Sequence, residues 1–462
     1  MSQVVCGVES LKRTRTIAVL GAGLAGLSLA YNFAKNNLDV IVLEATDKPG
    51  GLLKSINIDG YTFDIGGSHI IFSKDKNILN SMINFLGREN LVKHYRNTFI
   101  YYNGSLIKYP FENGIYALSP YERYIILKDI IETYIKRGKG VLEKPKNLYE
   151  WFIYVFGKEL SRRYLIPYNE KIWKRDLRSL SLEWVKGRVP HPPLDDIIKS
   201  AVGIPTEGYK HQINFFYPLM NGIEFFINKL VYFIKKYKGK IYCKTPINRI
   251  DHEDGKFIIS SNNKSFEADY VFSTIPLTEL INLFNDVSNN VRSAIDNLDY
   301  NSLIVVGIGV KGSPKIKNIH WIYFPQKEII FHRIAFLSNY SPNMAPRGSH
   351  SIIAEISYDP RDKSFIRRGD KSIINEVIDQ LSELKLLNEK DVEVYGLWRW
   401  KYAYIVYNQY YSSSIKTVLE YINNKGIYVH GRFGSWKYLN MDHIWKESME
   451  TNRKFMTRSF GV

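Results

Sequence analysis

Cysteine is almost missing from this chain. Only Cys6 and Cys243 occur in 462 residues, far apart. Neither a Cys-x-x-C pair nor a Cys/His zinc spacing exists, so a disulfide framework and a structural metal are both excluded from the expectation, and a reducing compartment fits. No apolar run approaches the roughly 18 residues of a membrane span. The opening "MSQVVCGVESLKRTRT" lacks the apolar core of a signal peptide. A cytoplasmic protein without a transmembrane segment is expected. Internal repeats, low-complexity tracts and flexible linkers are absent too, so domains should interleave rather than follow one another. No Ser/His/Asp or Cys/His set suggests a side-chain nucleophile.

What is present is ordinary in bulk and unusual in detail. Apolar residues make up 45% and charged residues 24%, enough for a substantial core. The net charge is +17, yet the lysines are dispersed. The densest basic run, "KKYKGKIYCK" (235–244), is interleaved with strand-like apolar residues and reads as a solvated strand edge. No nucleic-acid-binding motif accompanies it. The field does suit an anionic substrate or cofactor. The 33 tyrosines suit a polar ligand that must be stacked and hydrogen-bonded.

The segment "TIAVLGAGLAGLSLAYNFAKNNLDVIVLEA" (16–45) reads strand, glycine turn, helix, strand. Gly21, Gly23 and Gly26 permit a tight turn and close approach of a pyrophosphate, with Leu24 and Ala25 opening the helix. Glu44, followed by Ala45, ends the second strand and can accept from a ribose hydroxyl. Strand, glycines, helix, strand and acid in order make this a dinucleotide site rather than a merely tight turn. Gly50, Gly51 and Leu52 form a second glycine loop, which favours FAD over NAD and a glutathione-reductase-like plan. Late in the chain, Gly431 and Arg432 of "GRFG" precede a helix beginning near Asn440 and Met441. Its N-terminal donors would face the flavin pyrimidine. Ile247, in the returning strand segment "KIYCKTPINRI", joins the candidate cofactor contacts.

Between these parts, residues 75–214 read as helical. Asn147 and Glu150 stand in capping-box spacing before one helix. Strands return over 240–275 and 300–360, a helix follows over "RRGDKSIINEVIDQLSELKLL", and "GIYVHGRFG" reads as one more buried strand. The expected fold class is α/β. A discontinuous FAD-binding Rossmann domain (14–75, 215–280 and 415–462) would join a helical substrate domain (76–214) and a strand-rich one (281–414).

Six further stretches belong together: "KPGGLL", "DIGGSHIIFS", "YPFENGIYALSP", "YNEKIWKRDLRSLSLEWVKGRV", "HWIYFPQKEIIFHRIAFLSNYSP" and "GRFGSWKYLNMDH". Their order and spacing, from about residue 16 to 448, resemble the UDP-galactopyranose mutase family in its longer, eukaryotic-type branch. The resemblance implies FAD, active when reduced, with NADH or NADPH as candidate reductants. It places Gly66, Gly67, Ser68 and His69 over the flavin. Tyr109, Phe111 and Glu112 would take the base, and Asn169 and Trp173 the nucleotide and sugar. Arg188 and Arg333 would hold the diphosphate, with His69 completing the catalytic set. Tyr404 and Tyr438 would add hydroxyls, and Trp321 and Tyr323 a wall. The implied reaction interconverts pyranose and furanose forms of a nucleotide sugar by attack of flavin N5 on the anomeric carbon. Two departures stand out: Ser68 lengthens the family's glycine–histidine loop by one residue, and Glu112 replaces a glutamine, so it cannot donate unless protonated.

The residues themselves keep alternatives open. Gly66-Gly67 with His69 could be a strand bulge carrying a satisfied histidine. Arg188 could form a surface ion pair with Glu183, Arg333 could be a strand-edge charge, and Trp173 and Trp321 could be core. An FAD oxidoreductase of the amine-oxidase and protoporphyrinogen-oxidase group is the alternative function. A small-molecule nucleotide sugar is the expected partner, and the oligomeric state is left open, a homo-oligomer included.

Overall fold

A computed structural model describes residues 15–460 apart from 187, 190, 205, 207–212 and 263. Cys6 lies outside the described residues.

The first strand, Thr16–Leu20, is buried on both faces, as its unbroken apolar run requires. It sits at the centre of a parallel sheet ordered Tyr428–Val429, Tyr270–Ser273, Thr16–Leu20, Asp39–Leu43, Lys240–Tyr242. Within the basic run 235–244, Lys240–Tyr242 supplies one edge of this sheet, while Lys235 and Lys236 end a helix. Helices Leu24–Lys35, Glu224–Lys236 and Met441–Phe460 cover one face. Phe33 anchors that layer, with ring centres 4.9 Å from Phe272 and 5.3 Å from Phe455. The other face packs on the antiparallel strands Arg249–Glu253, Lys256–Ser261 and Lys264–Ala268 and on the helix Tyr411–Asn424.

A second sheet of seven strands carries the candidate substrate side. Its order is Val392–Val406, Asp299–Lys311, Ser349–Tyr358, Arg333–Phe336, Trp321–Tyr323, Thr98–Tyr102, Ser105–Lys108. Only the Trp321–Tyr323 and Thr98–Tyr102 pair is parallel. Helices Pro120–Gly138, Leu148–Phe156, Ile166–Trp173 and Leu194–Ala201 pack together beside it around Phe152, Phe156 and Ile126. Asn147 caps one of them by accepting from the amide of Glu150 at 2.9 Å.

Two expectations need correction. Residues 76–214 are not uniformly helical, because Leu91–Tyr95, Thr98–Tyr102 and Ser105–Lys108 are strands. The last two form a hairpin whose turn residues, Asn103 and Gly104, have φ of 47° and 77°. Asn-Gly is the pair that such a turn favours, so the signal stood in the sequence. The segment "GIYVHGRFG" is not a buried strand. Only Tyr428–Val429 pairs, at the sheet edge, with Tyr428 exposed and its ring stacked 4.7 Å from Phe272.

Candidate functional site

Glycine turns from four distant parts of the chain meet at the end of the parallel sheet. Gly50 donates its amide to the carbonyl of Ala22 at 2.8 Å, and Gly23 and Gly50 form a parallel bridge. A Cβ on Gly26 would lie 1.9 Å from the carbonyl oxygen of Gly21. One on Gly66 would lie 2.0 Å from that of Leu52, and one on Gly431 would lie 2.3 Å from the Cβ of Ala25. The backbone therefore closes on itself at a spacing that only glycine permits. No side chain caps the helix that begins at Leu24, so its first amides remain donors for an anion. Glu44 braces the turn: one carboxylate oxygen accepts from the amide of Ala22 at 2.8 Å, the other from the amide and hydroxyl of Thr46. A carboxylate has lone pairs to spare for a ribose hydroxyl. Ala45 is exposed beside it, and Ile247 is partly buried against the adjoining core. Arg432 donates to the carbonyls of Leu439 and Ala403, fixing the 431–439 turn before Asn440 and Met441. These residues fit a flavin dinucleotide.

The loop 66–69 projects from this groove toward the second sheet. His69 Nδ1 lies 2.8 Å from the carbonyl of Gly67, which makes that nitrogen the donor and leaves Nε2 as an acceptor. Burial, with Arg432 and Arg333 nearby, pushes the imidazole pKa down to about 4. His69 is thus neutral at physiological pH. Ser68 is engaged at every polar group. Its amide donates to Glu355 Oε1 at 3.0 Å, its hydroxyl meets that of Tyr340 at 2.7 Å, and its carbonyl accepts from Arg333 at 3.4 Å.

Arg333 forks the wholly buried Glu355 at 2.9 and 2.7 Å, through Nε and Nη2. Burial opposes its charge, but Glu355 and neighbouring tyrosines hold its pKa well above the ordinary value. It is no strand-edge charge. Arg188 does not pair with Glu183, which bonds Lys186 at 2.5 Å instead. Its guanidinium donates to the carbonyl of Tyr438 and lies 5.0 Å from that ring's centre. Arg432 lies 4.7 Å from the same ring. Tyr438 in turn stacks on Tyr404, 6.3 Å apart and within 8° of parallel. Burial raises the pKa of Tyr404, with Glu355 adding to the rise. The result is a wall of cations and phenols beside the 66–69 loop.

The remaining candidates divide. Tyr109 and Tyr323 meet at 5.1 Å, with Arg96 over the Tyr109 ring and Tyr168 against Tyr323. Trp321 is nearly buried, and its indole N–H finds no acceptor among the described residues. Asn169 and Trp173 satisfy each other: the indole donates to the amide oxygen at 3.1 Å, and the amide donates to Leu165 at 2.8 Å. Phe111 is wholly buried, stacked 5.3 Å from Tyr164. It supports the wall and, contrary to expectation, has no face to offer a base, because the preceding chain folds it inward onto the helical core. Glu112 is buried beside it. Glu355, Tyr340 and Tyr168 were missed in the sequence. The first hides in the apolar strand "SIIAEISY", where only its charge could have betrayed it.

The model of the family "Flavin containing amine oxidoreductase" matches residues 24–423. Among curated proteins, the chain is 26% identical over 187 residues to a coproporphyrinogen III oxidase of Staphylococcus aureus, covering 37% of this chain and 38% of that enzyme. It is 21% identical over 406 residues to a 1-hydroxycarotenoid 3,4-desaturase of a Flavobacterium, covering 78% and 80%. Among solved structures, a reduced UDP-galactopyranose mutase superposes with a TM-score of 0.87 and 25% identity, over 97% of this chain and 96% of that one. A protoporphyrinogen oxidase-like protein of Exiguobacterium superposes with a TM-score of 0.75 and 18% identity, over 96% and 99%. The α/β fold is that of these flavoproteins, and a family model spanning most of the chain places the protein in the flavin-containing amine oxidoreductase family.

Proposed function

We propose that this flavoprotein is a nucleotide-sugar mutase that interconverts the pyranose and furanose forms of a UDP-galactose-like substrate. The observation that carries the proposal is the cluster of Arg188, Arg333 and the stacked Tyr404–Tyr438 pair next to the 66–69 loop. A hydride-transferring oxidase for an apolar substrate has no use for such a clamp, whereas a departing diphosphate needs one. The likeness to the reduced UDP-galactopyranose mutase over nearly the whole chain supports it.

Reduced flavin, once bound, supplies the nucleophile for the anomeric carbon. The chain's own residues do the rest. Arg188 and Arg333 bind the diphosphate and stabilise its charge as it leaves and returns. Tyr404 and Tyr438 add hydroxyl donors. Tyr109, Tyr323 and Trp321 wall the pocket and exclude water. Neutral His69 presents Nε2 as an acceptor. NADH or NADPH is the proposed reductant.

Chromatography of UDP-galactopyranose after incubation with the protein tests this, oxidised and dithionite-reduced. A furanose product only after reduction is expected. No new product with FAD bound and reducible would overturn it. The second reading, an FAD oxidoreductase, is favoured by the oxidoreductase names of the sequence relatives. It expects steady oxygen consumption with an amine or porphyrinogen.

A further inference from the structure

An open cleft of about 650 Å³ lies outside the flavin groove, and none of its lining residues belongs to that groove or to the Arg188–Arg333 wall. Lys171, in the helix Ile166–Trp173, lines this cleft although it is almost wholly buried. Its ammonium donates to the carbonyls of Phe324 at 2.9 Å and Gln326 at 2.6 Å. An ammonium has three donors, and the third meets no acceptor among the described residues. Nor does a carboxylate there come within ion-pair distance, an uncommon state for a buried cation. Most charges around it are already engaged. Lys327 pairs with Glu170 at 3.6 Å and Arg178 with Asp176 at 3.5 Å. Arg175 holds Asp299 and Asp359, both at 2.7 Å, and Arg368 holds Glu376. His332, within reach of the Lys171 charge, is kept neutral by burial. Three cleft groups remain outside any such pair: Lys171, the exposed Lys174 that closes the same helix, and Glu328. Two cations against one carboxylate leave room for a single negative charge. The rest of the lining is apolar, from Ile329, Ile330, Ile356 and Phe365.

We propose that this cleft is a second binding site, for an aliphatic monocarboxylate whose carboxylate takes the third N–H of Lys171 and faces Lys174 while its chain lies on the isoleucines and Phe365. The proposal goes beyond the mutase reading and does not depend on it. A diphosphate would exceed the charge the cleft can balance and would leave the apolar lining wet. Burial, with Lys174 adding to the effect and Glu328 opposing it, brings the pKa of Lys171 down to about 6. An anion beside the amine raises that value again. The acid therefore binds as its anion, and Lys171 takes up a proton as it does so.

The test uses the FAD-loaded protein and hexanoate as the probe. Hexanoate is titrated by calorimetry at about pH 7.5 in two buffers of different ionisation enthalpy, which reads both affinity and proton uptake. Saturable binding with uptake of a proton is expected. Hexanamide, neutral and of the same shape, should bind about tenfold more weakly or worse. Lys171→Met should abolish the proton uptake and weaken hexanoate about tenfold or more. Lys174→Glu alters an exposed side chain and reverses the charge balance, so it keeps the test open if Lys171→Met does not fold. It should weaken hexanoate about fivefold or more. Arg188→Ala, which removes a cation of the diphosphate wall, should leave affinity and proton uptake unchanged. No binding, binding without proton uptake, equal binding of hexanamide, or binding lost in Arg188→Ala but kept in Lys174→Glu would overturn the proposal. A protein that binds hexanoate in this way but forms no furanose keeps the site and loses only the mutase reading.

Discussion

Arg333 carries its charge into a largely enclosed position because Glu355 goes with it. Removing one partner of such a pair leaves the other buried and uncompensated, which costs more than the pair contributes. Arg333→Ala should therefore lower both activity and stability. Arg188→Ala should lower activity alone, because its guanidinium rests on Tyr438 at the cleft wall. A loss of about 10²–10³ in kcat with FAD still bound is expected for Arg188→Ala, measured by furanose formation. Full activity in that variant would remove the clamp. His69 makes a different prediction. With its pKa near 4, it does not titrate between pH 5 and 8. His69→Asn should leave the shape of the pH–rate profile unchanged over that range, even if the rate falls. At this scale the sequence was partly legible. The arginines and His69 could be singled out because they interrupt recognisable stretches. Phe111 was misplaced because an aromatic next to a candidate site looks the same whether it faces in or out. Glu355 was overlooked because a buried charge on a continuous apolar strand gives no periodic cue.

Elements were read best where glycine or a cap dictated the backbone. The dinucleotide turn, the closing helix and the Asn147 cap all follow from local chemistry. The strands over 91–108 were missed because each has only four or five residues, too few for alternation to declare itself. The edge strand at 428 was misjudged because apolar side chains do not say how many neighbours a strand has. Gly431→Ala should abolish the yellow colour of the purified protein, since its Cβ would collide with Ala25 and the turn needs φ of 77°. Retained flavin absorbance in that variant would show that the turn can yield. Phe33→Ala, in the layer under the parallel sheet, should cost about 3–5 kcal/mol in chemical denaturation.

The whole molecule keeps several histidines neutral by burial. His69 and His430 are pushed down to about 4 and His320 to about 3. In the unfolded chain each binds a proton near pH 6.5. The native state is therefore favoured above pH 6.5, and that advantage is lost as pH falls toward 4. Buried Asp64 acts in the opposite sense, its carboxyl raised to about 6, so it favours the native state below pH 4 and loses this as pH rises. Three groups oppose one, and melting temperature should fall steadily from pH 7 to pH 4. A flat profile would mean that the histidines are wetter than their surroundings suggest.

The groove that begins at Gly21 is completed only at Gly431, with the seven-stranded sheet and the helices packed beside it in between. On the ribosome, the first glycine turn emerges long before its last partner exists. The cofactor cannot be held before Gly431 has emerged, and a translation arrest upstream of it yields a product with the start of the dinucleotide motif and nothing to close it. Cellular supply of free FAD then acts only on chains made past Gly431, and a shortage of it should appear as accumulated apoprotein rather than as stalled synthesis.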